Sequence, residues 1–173
     1  YRYGGGIAYR GPHFWNKDNS DYLTSEGMDR TNSHTSRARW VAMHGPTQKP
    51  SGKLATVVIM CHPKNRDAPQ RIRTWDNGKM FFNYVPTQEK GWSIQPNQTL
   101  TLRYRIVILD GKTKAKQIEE RWKAYLNWPR RDSYFLKLGN LPAHTKGNSL
   151  IANIQKLRII IQPMLASGPE KSP

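Results

Sequence analysis

The sequence predicts an all-β fold: a partial antiparallel β-sandwich with one C-terminal amphipathic helix and an irregular or helical tail. Three observations carry this. Short apolar or alternating runs recur between turn residues up to Asp110, a single stretch with helical periodicity follows them, and the composition changes after Pro129.

Thr56 to Met60 is a short continuous apolar run, read as a buried strand that stops at His62-Pro63. Gln70 to Trp75 alternates, and Asp76-Asn77-Gly78 supplies a turn before Met80 to Val85, so this pair reads as a hairpin. Thr99 to Leu109 sets Leu100, Leu102, Tyr104, Ile106 and Ile108 on one face, which makes it the clearest strand. Arg37 to Met43 is a further candidate, ended by Gly45-Pro46. The helix is expected over 113–127, with Thr113 as cap and Ile118, Trp122, Tyr125 and Leu126 on one face. Glu119 and Lys123 support it at i, i+4, and Pro129 marks its end. Residues 1–128 thus form the sandwich domain and 129–173 a tail or appendage. Within the tail, Asn148 or Ser149 can cap a helix through Leu150, Ile154, Leu157 and Ile161. The Ile159-Ile160-Ile161 run suits a strand equally; helix is the preferred reading.

The chain has 173 residues, 36% of them hydrophobic, with six Trp and eight Tyr, enough apolar surface for one core. Its most apolar stretch, Leu150 to Leu165, is broken by Asn153, Lys156, Arg158 and Pro163, which excludes membrane insertion by a spanning helix. A lone Cys61 excludes an internal disulfide and a multi-thiolate metal site. The 28 Lys and Arg against 12 Asp and Glu give a net charge of +16. A polyanion or nucleic acid is therefore one partner to test, although the charge is spread along the chain rather than gathered in an arm.

No metal motif is present: no two of the five His stand at i, i+4 on a helix. A set drawn from distant loops, such as His13, His62 and Glu26, would be chemically adequate for zinc or iron. The sequence leaves the cofactor unknown. The Cys61–Pro69 segment is the densest polar cluster directly after a buried strand, where ligand contacts collect on rigid scaffolds. Its alternative reading is a stiff turn that bonds its own backbone. Cys61 and His62 point to opposite faces of an extended chain, which argues against a nucleophilic dyad. Gly4-Gly5-Gly6 is not a phosphate loop and is read as allowing close backbone packing.

One proposed site gathers Arg10, Glu26, His62, Asn65 and Arg73. Glu26 and His62 are its catalytic candidates, with Glu26 as hydroxyl acceptor or general base; Arg10, Asn65 and Arg73 are its ligand-binding candidates. Aromatic residues beside such groups suit a sugar, whose apolar face stacks on rings while its hydroxyls take charged or amide partners. In the alternative reading, Glu26 pairs with an arginine and caps a loop.

Five segments carry a family resemblance: Tyr-Gly-Gly-Gly-Ile-Ala-Tyr-Arg-Gly (3–11), Thr-Ser-Glu-Gly (24–27), Ala-Arg-Trp-Val (38–41), His-Pro-Lys-Asn-Arg-Asp-Ala-Pro (62–69) and Leu-Arg-Tyr-Arg-Ile-Val-Ile-Leu-Asp-Gly (102–111). Over about residues 1–127 the chain resembles the C-terminal half of the bacterial DUF6807 proteins, commonly labelled methane oxygenase PmoA-like. A genuine particulate methane oxygenase subunit is a bundle of membrane helices, which the hydropathy excludes here. The resemblance implies a large exported β-sandwich, often found beside sugar-degrading genes, whose upstream half carries a His-rich segment. The expected function is therefore an exported domain that handles a carbohydrate or related polar small molecule. A non-catalytic, basic polyanion-binding module is the alternative.

Overall fold

The structure is a computed structural model that describes residues 4–47, 52–127 and the backbone of 157–160. Its elements are β1 (Ala8–Arg10), β2 (Asp21–Thr24), β3 (Trp40–Pro46), β4 (Leu54–Cys61), β5 (Ile72–Thr74), β6 (Phe81–Tyr84), β7 (Leu100–Asp110), α1 (Ala115–Leu126) and β8 (Leu157–Ile160). They form a smaller sheet, ordered β1-β6-β5, and a larger one, ordered β2-β3-β4-β7-β8. All pairings are antiparallel except β7–β8, so the fold is the expected all-β sandwich, with a single helix among the described residues.

Alternation along the larger sheet produces three layers. Val41, Met43, Val57, Ile59, Cys61, Leu102 and Tyr104 face the smaller sheet and meet its Ile72, Phe82 and Tyr84 in one core. Trp40, Ala42, Val58, Met60 and Val107 face the other way, onto Ile118 of α1. β4 is therefore covered on both faces, which is why Thr56–Met60 reads as continuous rather than alternating apolar sequence.

The β5–β6 hairpin forms as predicted, pairing Ile72 with Tyr84 and Thr74 with Phe82, and Gly78 takes the left-handed conformation that its turn requires (φ +66°). β3 lies three residues later than expected, because the chain stays extended through His44-Gly45-Pro46. The cause is packing. A Cβ on Gly45 would stand 2.7 Å from the Trp15 ring, so this glycine admits an indole rather than ending the strand. Gly6 is similarly crowded: a Cβ there would stand 2.3 Å from the Tyr84 carbonyl oxygen, in keeping with close backbone packing at the triple glycine. Ile108, expected on the inner face of β7, is 73% exposed because the short smaller sheet does not reach that end of the strand.

The helix starts at Lys114 as N-cap rather than Thr113. Gln117 Oε1 accepts the Lys114 N–H (3.4 Å), while the Thr113 N–H is drawn instead to Thr56 Oγ1 (3.2 Å). Ile118 is fully buried, and Trp122 and Tyr125 of the expected face pack beside it, whereas Leu126 is not part of that cluster. In the tail, Leu157–Ile160 is a strand running parallel to β7, a correction to the helix preferred from the sequence; the β-branched residues favour the extended form. The rest of that expected helix lies outside the described residues.

Ile118→Ala is expected to destabilise by about 2–5 kcal/mol in urea denaturation, because it opens a cavity in the helix layer. Trp122 is only partly buried, so Trp122→Ala should cost less than the roughly 3–5 kcal/mol of a fully enclosed indole. Gly45→Ala, which adds only a methyl group, should cost about 1–3 kcal/mol by displacing Trp15, and an unchanged melting temperature would refute that packing argument.

Candidate functional site

The five candidate residues fall on opposite sides of the sandwich. Arg10 and Arg73 occupy the outer face of the smaller sheet. Strand register pairs Arg10 with Phe81 and Arg73 with Asn83, and directly opposed residues share a face. Trp75 joins them two residues beyond Arg73. The Trp75 and Phe81 ring centroids are 5.0 Å apart and tilted by 34°. The Arg10 guanidinium lies 5.6 Å from the Trp75 centroid and 5.4 Å from that of Phe81; Arg73 lies 5.9 and 5.7 Å from the same two rings. Two cations and two aromatic rings thus form one platform.

Glu26 and His62 lie on the side covered by α1. Glu26 belongs to the turn after β2, where the Gly27 N–H reaches the Thr24 carbonyl at 3.0 Å. Its carboxylate accepts the Ser25 hydroxyl (3.0 Å) and pairs with Arg39 Nε (3.5 Å). Arg39 in turn donates to Glu119 Oε1 (2.7 Å) and lies 5.0 Å from the Trp122 ring centroid, while the Trp40 indole donates to Glu119 Oε2 (2.7 Å). Glu26 is therefore an ion-pair partner at the rim of the helix–sheet joint.

His62 packs edge-on against Tyr125, 5.4 Å between centroids, and its Nδ1 accepts the Lys64 N–H at 3.0 Å. That bond places the proton of the neutral ring on Nε2. Burial, with the Arg103 and Lys64 cations, holds the ring below its ordinary value, so it is mostly neutral at pH 7. Cys61, one residue earlier, points into the opposite core layer, where burial pushes its thiol up to about 11. Asn65 is buried, and both ends of its amide are taken: Nδ2 donates to the Arg103 carbonyl (2.7 Å), and Oδ1 accepts the Arg103 N–H (2.6 Å).

Among the described residues no three His, Cys, Asp or Glu side chains converge as a metal site would require, so His13, His62 and Glu26 form no such set. Nor is any described helix long and apolar enough to cross a membrane. Sequence reasoning missed Trp75 and Phe81 as partners of the two arginines. Arg73-Thr74-Trp75 does put Arg73 and Trp75 on one face by alternation, but the register that adds Phe81 and Arg10 is a long-range property.

These observations define a helix-backed β-sandwich domain with an arginine–aromatic platform on its helix-free side. The chain belongs to the family of unknown function DUF6807, which it matches over residues 1–123, ending inside α1. No curated protein and no solved structure matches it.

Although its partial burial disfavours charge, Glu119 is held below the ordinary glutamate value of 4.5 by its bonds to Trp40 and Arg39. A depressed carboxylate stabilises the fold above its unfolded value, and that contribution is lost as pH falls through the folded value. Glu119→Gln should therefore be less stable than the parent at pH 7, with the gap closing below pH 4.5. A gap that stays constant down to about pH 3 would show that the charge at Glu119 plays no part.

Proposed function

We propose that this domain binds a carbohydrate carrying acidic groups on the outer face of its smaller sheet. The observation that carries the reading is the stacking of Arg10 and Arg73 against the Trp75–Phe81 pair. A guanidinium held over rings, as Arg10 is, keeps hydrogen-bonding capacity for a carboxylate or sulfate, and an aromatic floor suits the apolar face of a sugar ring. The net charge of +16 draws such a polymer toward the domain. The role proposed is binding rather than catalysis, because Glu26 and His62 stand on the helix side, two layers away from the two arginines. The reading also takes up the export implied by the family resemblance, which would bring the domain to polymeric sugars outside the cytoplasm.

The second reading, a polyanion-binding module with no defined site, draws on the same net charge. Affinity electrophoresis and calorimetry with a polyuronate, a neutral glucan and heparin separate the two. The expected result is retention by the polyuronate over the glucan, weakened about tenfold or more, roughly 1.4 kcal/mol, by Trp75→Ala or Arg10→Ala. Equal retention by every polyanion, steeply salt-dependent and unaffected by Trp75→Ala, would favour the module. Binding to none of the three would overturn both.

A further inference from the structure

A polar cavity lies on neither of the surfaces described above. It opens beside the β2–β3 edge of the larger sheet, has a volume of about 440 Å³, and is lined by His44 and residues of the loops around 17–20 and 29–31. Register sets His44 opposite Asp21, and strand parity turns it to the same face as Trp40 and Ala42, toward the helix layer. α1 packs on Trp40 and Ala42, and the next position of that row faces the cavity.

His44 is only 6% exposed, yet neither ring nitrogen has a hydrogen-bond partner. Buried imidazoles are ordinarily bonded, so two orphaned nitrogens in one ring require an explanation. Arg30 repeats the pattern in the same wall. Its terminal nitrogens hold the Trp75 carbonyl (3.0 Å), the Ser20 carbonyl (2.8 Å) and Ser20 Oγ (3.0 Å), while its buried Nε has no partner. Two residues from separate elements that line one cavity thus each carry unpaired buried nitrogens.

We infer that this cavity binds a small neutral polyhydroxylated molecule, such as a free monosaccharide or polyol, with His44 as its central hydrogen-bonding group. The lining sets the class. A neutral imidazole offers one donor and one acceptor, and a hydroxyl group satisfies both in turn. Around it stand three carboxylates, on Asp18, Asp21 and Asp29, and three cations, on Lys17, Arg30 and Lys112. An anion would be opposed by half of that ring and a cation by the other half, whereas hydroxyls can donate to the carboxylates and accept from the cations. Burial and Lys112 lower the His44 ring, with Asp21 pulling the other way, which keeps it neutral at pH 7. The walls are preformed. Asp29 Oδ1 accepts both the backbone N–H (2.8 Å) and the hydroxyl (2.7 Å) of Thr31, and Asn16 exchanges short bonds with Asp18 and Asn19.

The test is ¹⁵N NMR of the histidine rings in the 173-residue chain, with glucose, galactose, mannose and xylitol as probes and inorganic phosphate and calcium chloride as controls. At least one neutral probe, at roughly 10 mM, is expected to move both His44 nitrogen signals. His44→Phe, which keeps a buried ring but removes the bonding atoms, should weaken that probe tenfold or more. Because the large phenyl group can disturb folding, Lys112→Gln on the exposed rim is the second variant: it should weaken binding several-fold with an unchanged melting temperature. Arg10→Ala and Trp75→Ala should leave this binding intact, so its failure is distinguishable from failure at the platform. A response to phosphate or calcium alone, no response to any probe with only water on the ring, or equal affinity in His44→Phe would each overturn the inference.

Discussion

The double covering of β4 is the constraint on which the rest depends. A strand that buries Val57, Ile59 and Cys61 on one side and Val58 and Met60 on the other needs two further layers. The smaller sheet supplies one and α1 the other. Because the layers are fixed by this strand, each loop leaving it has a set destination. The segment after Cys61 runs under Tyr125, the turn after β2 meets Arg39, and the β5–β6 hairpin turns Arg73 and Phe81 away from the core.

Two of these surfaces handle charge in contrasting ways. On the helix side Arg39 is enclosed by Glu26, Glu119 and the Trp122 ring, so its charge is used within the molecule to lock helix to sheet. On the other side the Arg10 guanidinium is held by rings alone; among the described residues it has no carboxylate partner. A guanidinium supported by aromatic rings keeps its hydrogen-bonding edge for whatever arrives from solution. The same residue type is structural in one layer and outward-looking in another, and the difference lies in the neighbours rather than in local sequence.

Much of the fold was legible because periodicity is local. The continuous run in β4, the Asn-Gly hairpin and the Ile118–Trp122 stripe each declare themselves within a dozen residues. The shift of β3 was not legible, since it depends on Trp15 coming from some thirty residues earlier to lie against Gly45. Nor was the strand at Leu157–Ile160, where β-branched residues served either reading until a pairing partner was known. For the site, the residue types were legible and their grouping was not. Arg10 and Arg73 meet because of cross-strand register, Glu26 is led away by Arg39, and His44 gave no signal at all, being one histidine in an apolar strand. Its importance rests on what fails to touch it, which no local pattern encodes.

Asn65 has a role of its own. Its carboxamide engages both the N–H and the C=O of Arg103, sharing the carbonyl with the His62 N–H (3.1 Å), at the point where the chain leaves β4. One side chain is thus a splice, completing the last rung by accepting the Arg103 N–H and adding a second donor to its carbonyl. Few side chains can do this. Aspartate would present an acceptor to the Arg103 carbonyl, serine has too short a reach for both groups, and glutamine carries the right atoms one methylene too far. Asn65 is therefore the seam between loop and strand, and the polar cluster that invites a ligand reading holds, at its centre, a piece of carpentry.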